Sequence, residues 1–207
     1  MLAHRQRRSE SQQGTTMLEV LVTIVILAFG MLGLAGMQSK MYGAEMESYQ
    51  RAQALVLLND MVDRINANRN VAASYIPTNL LGTGDILYGT ASDQPSDCAA
   101  KAAPVLPTGV LWDLCEWSNA LKGAAETSAT STKVGGMVGA VGCITQVQAE
   151  TPAPLCTPGT YLVSVAWQGV NATSIPVATC GQGLFGSDDR LRRVISARVS
   201  IGLPTCQ

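Results

Sequence analysis

Residues 14–40 read GTTMLEVLVTIVILAFGMLGLAGMQSK, and the placement of charge in this stretch decides the fold. After Glu19 come 20 residues without a charged side chain, Val20 to Ser39, and then Lys40. At 1.5 Å per residue such a helix is about 30 Å long, which matches the hydrocarbon core of a bilayer. Upstream lie Arg5, Arg7 and Arg8. Basic residues stay on the cytoplasmic side, so the chain beyond Lys40 is expected on the far side of the membrane. A secretory signal peptide also begins with basic residues, but its apolar region is only about 7–15 residues and ends at a small-residue cleavage site. Here the segment runs on as LAGMQSKMYGAEMES (34–48), still compatible with a helix. Glu19 is the anomaly. A carboxylate at the edge of a membrane-spanning helix is costly and normally has a partner.

The helical pattern continues past the membrane. No proline precedes Pro77. Met41, Ala44, Ser48, Ala52, Leu55, Leu58, Val62 and Ile65 recur at helical spacing, with Glu45, Glu47, Gln50, Arg51, Asn59, Asp60, Asp63 and Arg64 largely on the opposite side. One helix is therefore expected over about 16–68, transmembrane over 20–39 and amphipathic over 41–68. The alternative is two helices with a break near Gly30, Gly33 and Gly36, since each interior glycine costs up to about 1 kcal/mol.

The character changes after residue 70. Residues 71–110 carry Pro77, Pro95, Pro104, Pro107 and several glycines, and read as irregular connection. Trp112 to Leu121 reads as a short helix, and 123–134 as a flexible polar loop. Three strands are expected at Val138 to Val147, Tyr161 to Gln168 and Leu191 to Ile201. Tyr161, Val163, Val165 and Trp167 alternate with Leu162, Ser164, Ala166 and Gln168, a half-buried pattern. The fold class is α+β: a long helix packed on a small antiparallel sheet whose other face is partly wet.

All six cysteines, Cys98, Cys115, Cys143, Cys156, Cys180 and Cys206, fall in the second half, with no C-x-x-C spacing. Disulfides in an oxidising compartment are expected, which agrees with export of residues 71–207; buried free thiols in a cytosolic protein are the alternative. Of the 15 connectivities open to six cysteines, neighbour pairing (98 with 115, 143 with 156, 180 with 206) closes the most local loops.

Several chemistries are disfavoured. His4 is the only histidine, which argues against His-dependent nucleophilic catalysis, His-ligated zinc and haem. A formal net charge of -1 gives no footprint for nucleic acid. No enzyme activity, catalytic residue, cofactor or metal is expected. Gly136, Gly139 and Gly142 suggest a turn or bulge entering a strand, Asp188 and Asp189 a solvated turn, and Arg190, Arg192 and Arg193 a solvated strand edge. Trp112, Trp117 and Trp167 are core candidates.

The string Gly14-Thr15-Thr16-Met17-Leu18-Glu19-Val20-Leu21-Val22 resembles the type III signal of type IV prepilins and pseudopilins: a basic leader ending in glycine, four mostly apolar residues, a glutamate, then a long apolar helix. The wider stretch EVLVTIVILAFGMLGLAGMQ is most similar to the minor pilin family PilV, the type IV pilus modification proteins. DLCEWSNAL (113–121), VGGMVGAVGCI (134–144), YLVSVAWQG (161–169) and LRRVISARVSIG (191–202) follow in that family's order.

The resemblance implies a pilin-like roll and a division into a leader peptide (1–14), a long helix (15–70) and a periplasmic domain (71–207). It implies leader cleavage between Gly14 and Thr15 by a prepilin peptidase, N-methylation of Thr15, and Glu19 as the assembly carboxylate that attracts the N-terminal amine of a neighbouring subunit. The implied partners are that peptidase, other major and minor pilins, the inner membrane and a tip adhesin. The implied role is a minor subunit of the fimbrium, within the tip complex that primes pilus assembly, supporting adhesion and twitching motility. Two departures stand out: Thr15 where the family usually has Phe or Met, and Gly36 where many major pilins have proline. A pseudopilin of a type II secretion system is the alternative, and a membrane-anchored periplasmic enzyme a distant third.

Overall fold

The computed structural model describes residues 14, 16–76, 88–89, 98, 108–123 and 137–202. Thr15, Gly136, Cys206, the leader up to residue 13 and the expected loop from residue 124 onward lie outside the described residues.

Helix α1 runs unbroken over Met17–Ala67, 51 residues, within a residue of the expected ends at both termini. The glycines do not interrupt it. The chain divides into two compact units, 1–44 and 45–207, and α1 contributes to both. In the first unit every residue from Met17 to Ala44 is exposed except half-buried Gly43. In the second unit α1 buries Gln50, Ala54, Leu58, Met61 and Ile65, a stripe at steps of three and four residues.

That stripe corrects the expected face. Leu58 and Ile65 are buried and Val62 half-buried, but Ser48, Ala52 and Leu55 face solvent, whereas Gln50 is buried and Glu47 half-buried. The reason is the run Ala54-Leu55-Val56-Leu57-Leu58, which is apolar around the helix and leaves the periodicity without a unique direction. Contacts from the sheet select the face.

After α1 comes a 3₁₀ segment, Arg69–Tyr75, irregular at Val71, which buries Ala72 and Tyr75. Helix α2 spans Thr108–Leu121, four residues longer at its start than expected. It buries Val110, Leu114, Trp117 and Leu121, again one helical stripe. Trp112, expected in the core, is 47% exposed because it falls between those positions.

Among the described residues the sheet holds a two-residue strand β1 (Tyr88–Gly89) and three longer ones, β2 (Val141–Gln148), β3 (Gly159–Gln168) and β4 (Arg192–Ile201). They lie in the order β1-β2-β3-β4, antiparallel throughout. β2 starts three residues later than expected, because residues 137–140 form a turn with Gly139 at φ +64°. One sheet face contributes Ile144, Tyr161, Val163, Val165, Trp167, Val199 and Ile201 to a core shared with Ala54, Leu58, Met61 and Ile65 of α1 and the buried stripe of α2. Fully burying side chains of this size stabilises by about 1.5–3 kcal/mol each.

Gly142 on β2 is required by packing. A Cβ there would lie 2.3 Å from the Trp117 ring. That ring's indole N–H donates to the carbonyl of Leu57 at 2.8 Å, tying α2 to α1.

The opposite sheet face is wet only in part. Val141, Cys143 and Ala166 are covered by Cys180 and Phe185 from the β3–β4 connection. Farther along, Ser196, Arg198 and Ser200 are exposed.

The disulfides follow from this arrangement. Cys98–Cys115 forms as neighbour pairing expects. Cys143 pairs instead with Cys180, 37 positions away, which overturns 143 with 156 and 180 with 206. Cys143 lies within β2 opposite Ser164, on the face beneath the Cys180 segment, whereas Cys156 sits in the β2–β3 connection beyond the strand end. Loop length alone takes no account of the strand between them. Cys156 is also disulfide-bonded.

Candidate functional site

The helix start is built from Thr16, whose carbonyl accepts from the amides of Glu19 at 3.0 Å and Val20 at 3.3 Å. Gly14 precedes it as an exposed, irregular residue, and Glu19 stands exposed in the first helical turn. There the unsatisfied N–H groups of a helix terminus carry partial positive charge, a favourable place for a carboxylate. Among the described residues the Glu19 side chain meets no ion-pair or hydrogen-bond partner. Thr23 turns its hydroxyl inward to the carbonyl of Val20 at 2.8 Å, which hides a polar group along the apolar run.

That run has a mean hydropathy of 2.5 over its most apolar window, none of which is buried. It is the one helix among the described residues long and apolar enough to cross a membrane. Apolar surface of this extent requires lipid or other helices around it. The site therefore consists of an exposed glycine, an exposed carboxylate five positions later that has no partner among the described residues, and an uncovered apolar helix.

The second unit holds polar clusters of a different kind. Arg192 and Arg193, expected at a solvated edge, are both engaged. Strand alternation sends them to opposite faces. Arg192 is 1% exposed. Its guanidinium donates to the carbonyls of Ala178, Cys180 (2.9 Å) and Pro176 (3.1 Å), and lies 3.4 Å from the Asp189 carboxylate. Asp189 in turn accepts from the Gly183 amide at 2.9 and 3.0 Å. It is therefore a buried loop anchor rather than part of a solvated turn. Arg193 points toward α1, pairs with Glu47, and donates to the Thr173 hydroxyl (2.7 Å) and the Asn171 carbonyl (2.6 Å).

A third cluster joins the end of α1 to α2. The Asp113 carboxylate accepts from Arg64 (2.9 Å), from Asn68 (3.0 Å) and from the Tyr75 hydroxyl. Burial, reinforced by the hydrogen bond to the Asp113 carboxylate, pushes the Tyr75 phenol well above its usual value. For Arg64 burial acts downward, but the bonds and charges of Asp60 and Asp113 together outweigh it and the net shift is upward. Sequence inspection misses this cluster because its members belong to three elements. The one signal is the single aspartate on the apolar helix α2. No group of three or more His, Cys, Asp or Glu side chains able to hold a metal occurs among the described residues.

Comparison with protein-family models, with curated proteins and with solved structures finds no match to this chain.

Proposed function

We propose that this chain is a minor pilin of type IV pili, of the PilV kind. A prepilin peptidase cuts after Gly14 on the cytoplasmic face and methylates the new amine of Thr15. The segment 20–39 holds the subunit in the inner membrane with residues 71–207 in the periplasm, where the disulfides form. The subunit then joins other minor and major pilins in the priming complex of the filament, where the pilin-like roll is displayed outward, together with a tip adhesin.

One observation carries this reading: a glycine and an unpartnered glutamate five positions apart head a long apolar helix whose second half packs on a small sheet. The charge logic supports it. Cleavage creates a cationic amine next to a lipid-like environment that already holds Glu19, and an ion left unpaired there costs several kcal/mol. Pairing between the amine of one subunit and Glu19 of the next satisfies both. N-terminal sequencing of the protein from native membranes is the test. A start at Thr15 is expected; a start at Met1, or a cut within 34–48, overturns the proposal.

A further inference from the structure

Among the described residues strand β4 forms one border of the sheet, paired with β3 over ten consecutive residue pairs without a bulge. In an antiparallel pair, alternate residues turn their N–H and C=O groups away from the partner strand. Among the described residues, no backbone group of residues 194–201 bonds outside the β3 ladder. Soluble proteins blunt such borders with proline, bulges, short strands or closely spaced charges. β4 has no proline and no bulge, and Arg198 is the one charge between Val194 and Ile201. The core is also left open along this border. Ile195 and Ala197 pack against it yet remain half-exposed, on the same face as buried Val199 and Ile201.

We propose that the outer edge of β4 is a docking site for an extended segment of a different polypeptide, which adds to the sheet as a further antiparallel strand. The chemistry of that segment can be read from the edge. Residues facing α1 are apolar, to continue the row Ile195, Ala197, Val199 and Ile201. Residues on the other face are small and polar, to continue Ser196 and Ser200, whose hydroxyls already pair across to Ser164 (2.8 Å) and Thr160 (3.4 Å). A carboxylate lies opposite Arg198, which is exposed and has no ion-pair partner among the described residues. Charge also argues against a second copy as the occupant. Arg198 is exposed and residues 190–202 hold no carboxylate, so the same edge of a second copy offers Arg198 no partner and brings its own Arg198 instead.

The test uses the full chain in detergent micelles and a blocked nonapeptide of alternating Val and Thr with one central Glu. Hydrogen exchange is followed residue by residue. At saturating peptide, the outward amides within 194–201 should gain at least about tenfold protection, as added ladder hydrogen bonds require. Replacing Glu by Lys in the peptide should weaken binding about 2–5-fold, the range of an exposed cross-strand ion pair. In the Arg198→Glu protein the order of the two peptides should reverse. A peptide N-methylated on alternate residues, with the same side chains but no ladder, should give no protection. The proposal is overturned if the N-methylated peptide protects equally, or if no peptide protects at its solubility limit. Protection of these amides without peptide, or rising with protein concentration alone, also overturns it by identifying the chain itself or a second copy as the occupant.

Discussion

Arg193 on β4 and Glu47 on α1 form an ion pair across 146 positions of sequence, and the same guanidinium holds the β3–β4 connection through Asn171 and Thr173. One side chain therefore ties the helix, the sheet and the loop together. With side-chain exposures of 14% and 30% the pair is largely desolvated. Arg193→Ala is expected to lower unfolding stability by about 2–3 kcal/mol, because several acceptors lose a charged donor together. Glu47→Gln, which keeps an acceptor, should cost about 1 kcal/mol. Urea unfolding followed by tryptophan fluorescence, with the double mutant completing a cycle, measures the coupling. Strict additivity would show that the pair does not act as a unit.

The buried stripe of α1 separates neighbouring residues of similar chemistry. Leu58→Ala and Met61→Ala should each cost about 2–5 kcal/mol, since both side chains are nearly inaccessible. Leu55→Ala and Val56→Ala, at 44% and 67% exposure, should change the stability of the isolated subunit by no more than about 0.5 kcal/mol. Equal losses at all four positions would contradict the face assignment.

Replacing Cys143 and Cys180 together by serine is expected to destabilise by about 4 kcal/mol on the chain-entropy account of a loop of this length. Peptide mapping without reduction should recover Cys98 linked to Cys115 and Cys143 linked to Cys180. A fragment joining Cys143 to Cys156 would contradict the register of the sheet.

Alkaline pH should weaken the junction of α1 and α2. The Tyr75 phenol titrates higher in the fold than in the unfolded chain, where its value is about 10. Its contribution is therefore fully present below about pH 10 and is lost as pH rises toward the folded value. Tyr161, raised chiefly by burial and then by Glu150, acts in the same direction. Stability measured from neutral pH to pH 11 should fall at the alkaline end, and Asp113→Asn should make that fall shallower. A flat profile would show that neither phenol is linked to folding.

If the proposed pilin function holds, Glu19→Ala should leave leader cleavage intact, because the proposed cut lies at Gly14, five positions upstream. Incorporation into filaments should drop at least tenfold, read as the ratio of mutant subunit in sheared pili to that in membranes. Recovery of the mutant at the normal ratio would remove Glu19 from assembly.

The limits of α1, the three main strands and the alternation along β3 are legible in the amino-acid sequence, because they follow from charge spacing and local period, which are properties of neighbouring residues. The buried face of the helix is not legible in the same way. Ala54 to Leu58 is apolar in every direction, so the face is decided by contacts with distant strands of the sheet. The Cys143–Cys180 link, the burial of Arg192 and the Asp113 cluster each depend on which segments meet in space. Gly142 is the instructive middle case. It reads as a bulge or turn residue, and its reason is a tryptophan ring from another element.

Arg192 grips the β3–β4 connection by main-chain oxygens, at Pro176, Ala178 and Cys180, and Arg193 does the same at Asn171. A carbonyl is present whatever side chain its residue bears. The outward residues between those grips, such as Ile175 and the fully exposed Val177, are thus free to diversify while the loop keeps its course. A lineage under pressure to alter the surface it shows can rewrite this stretch and leave the frame beneath it untouched.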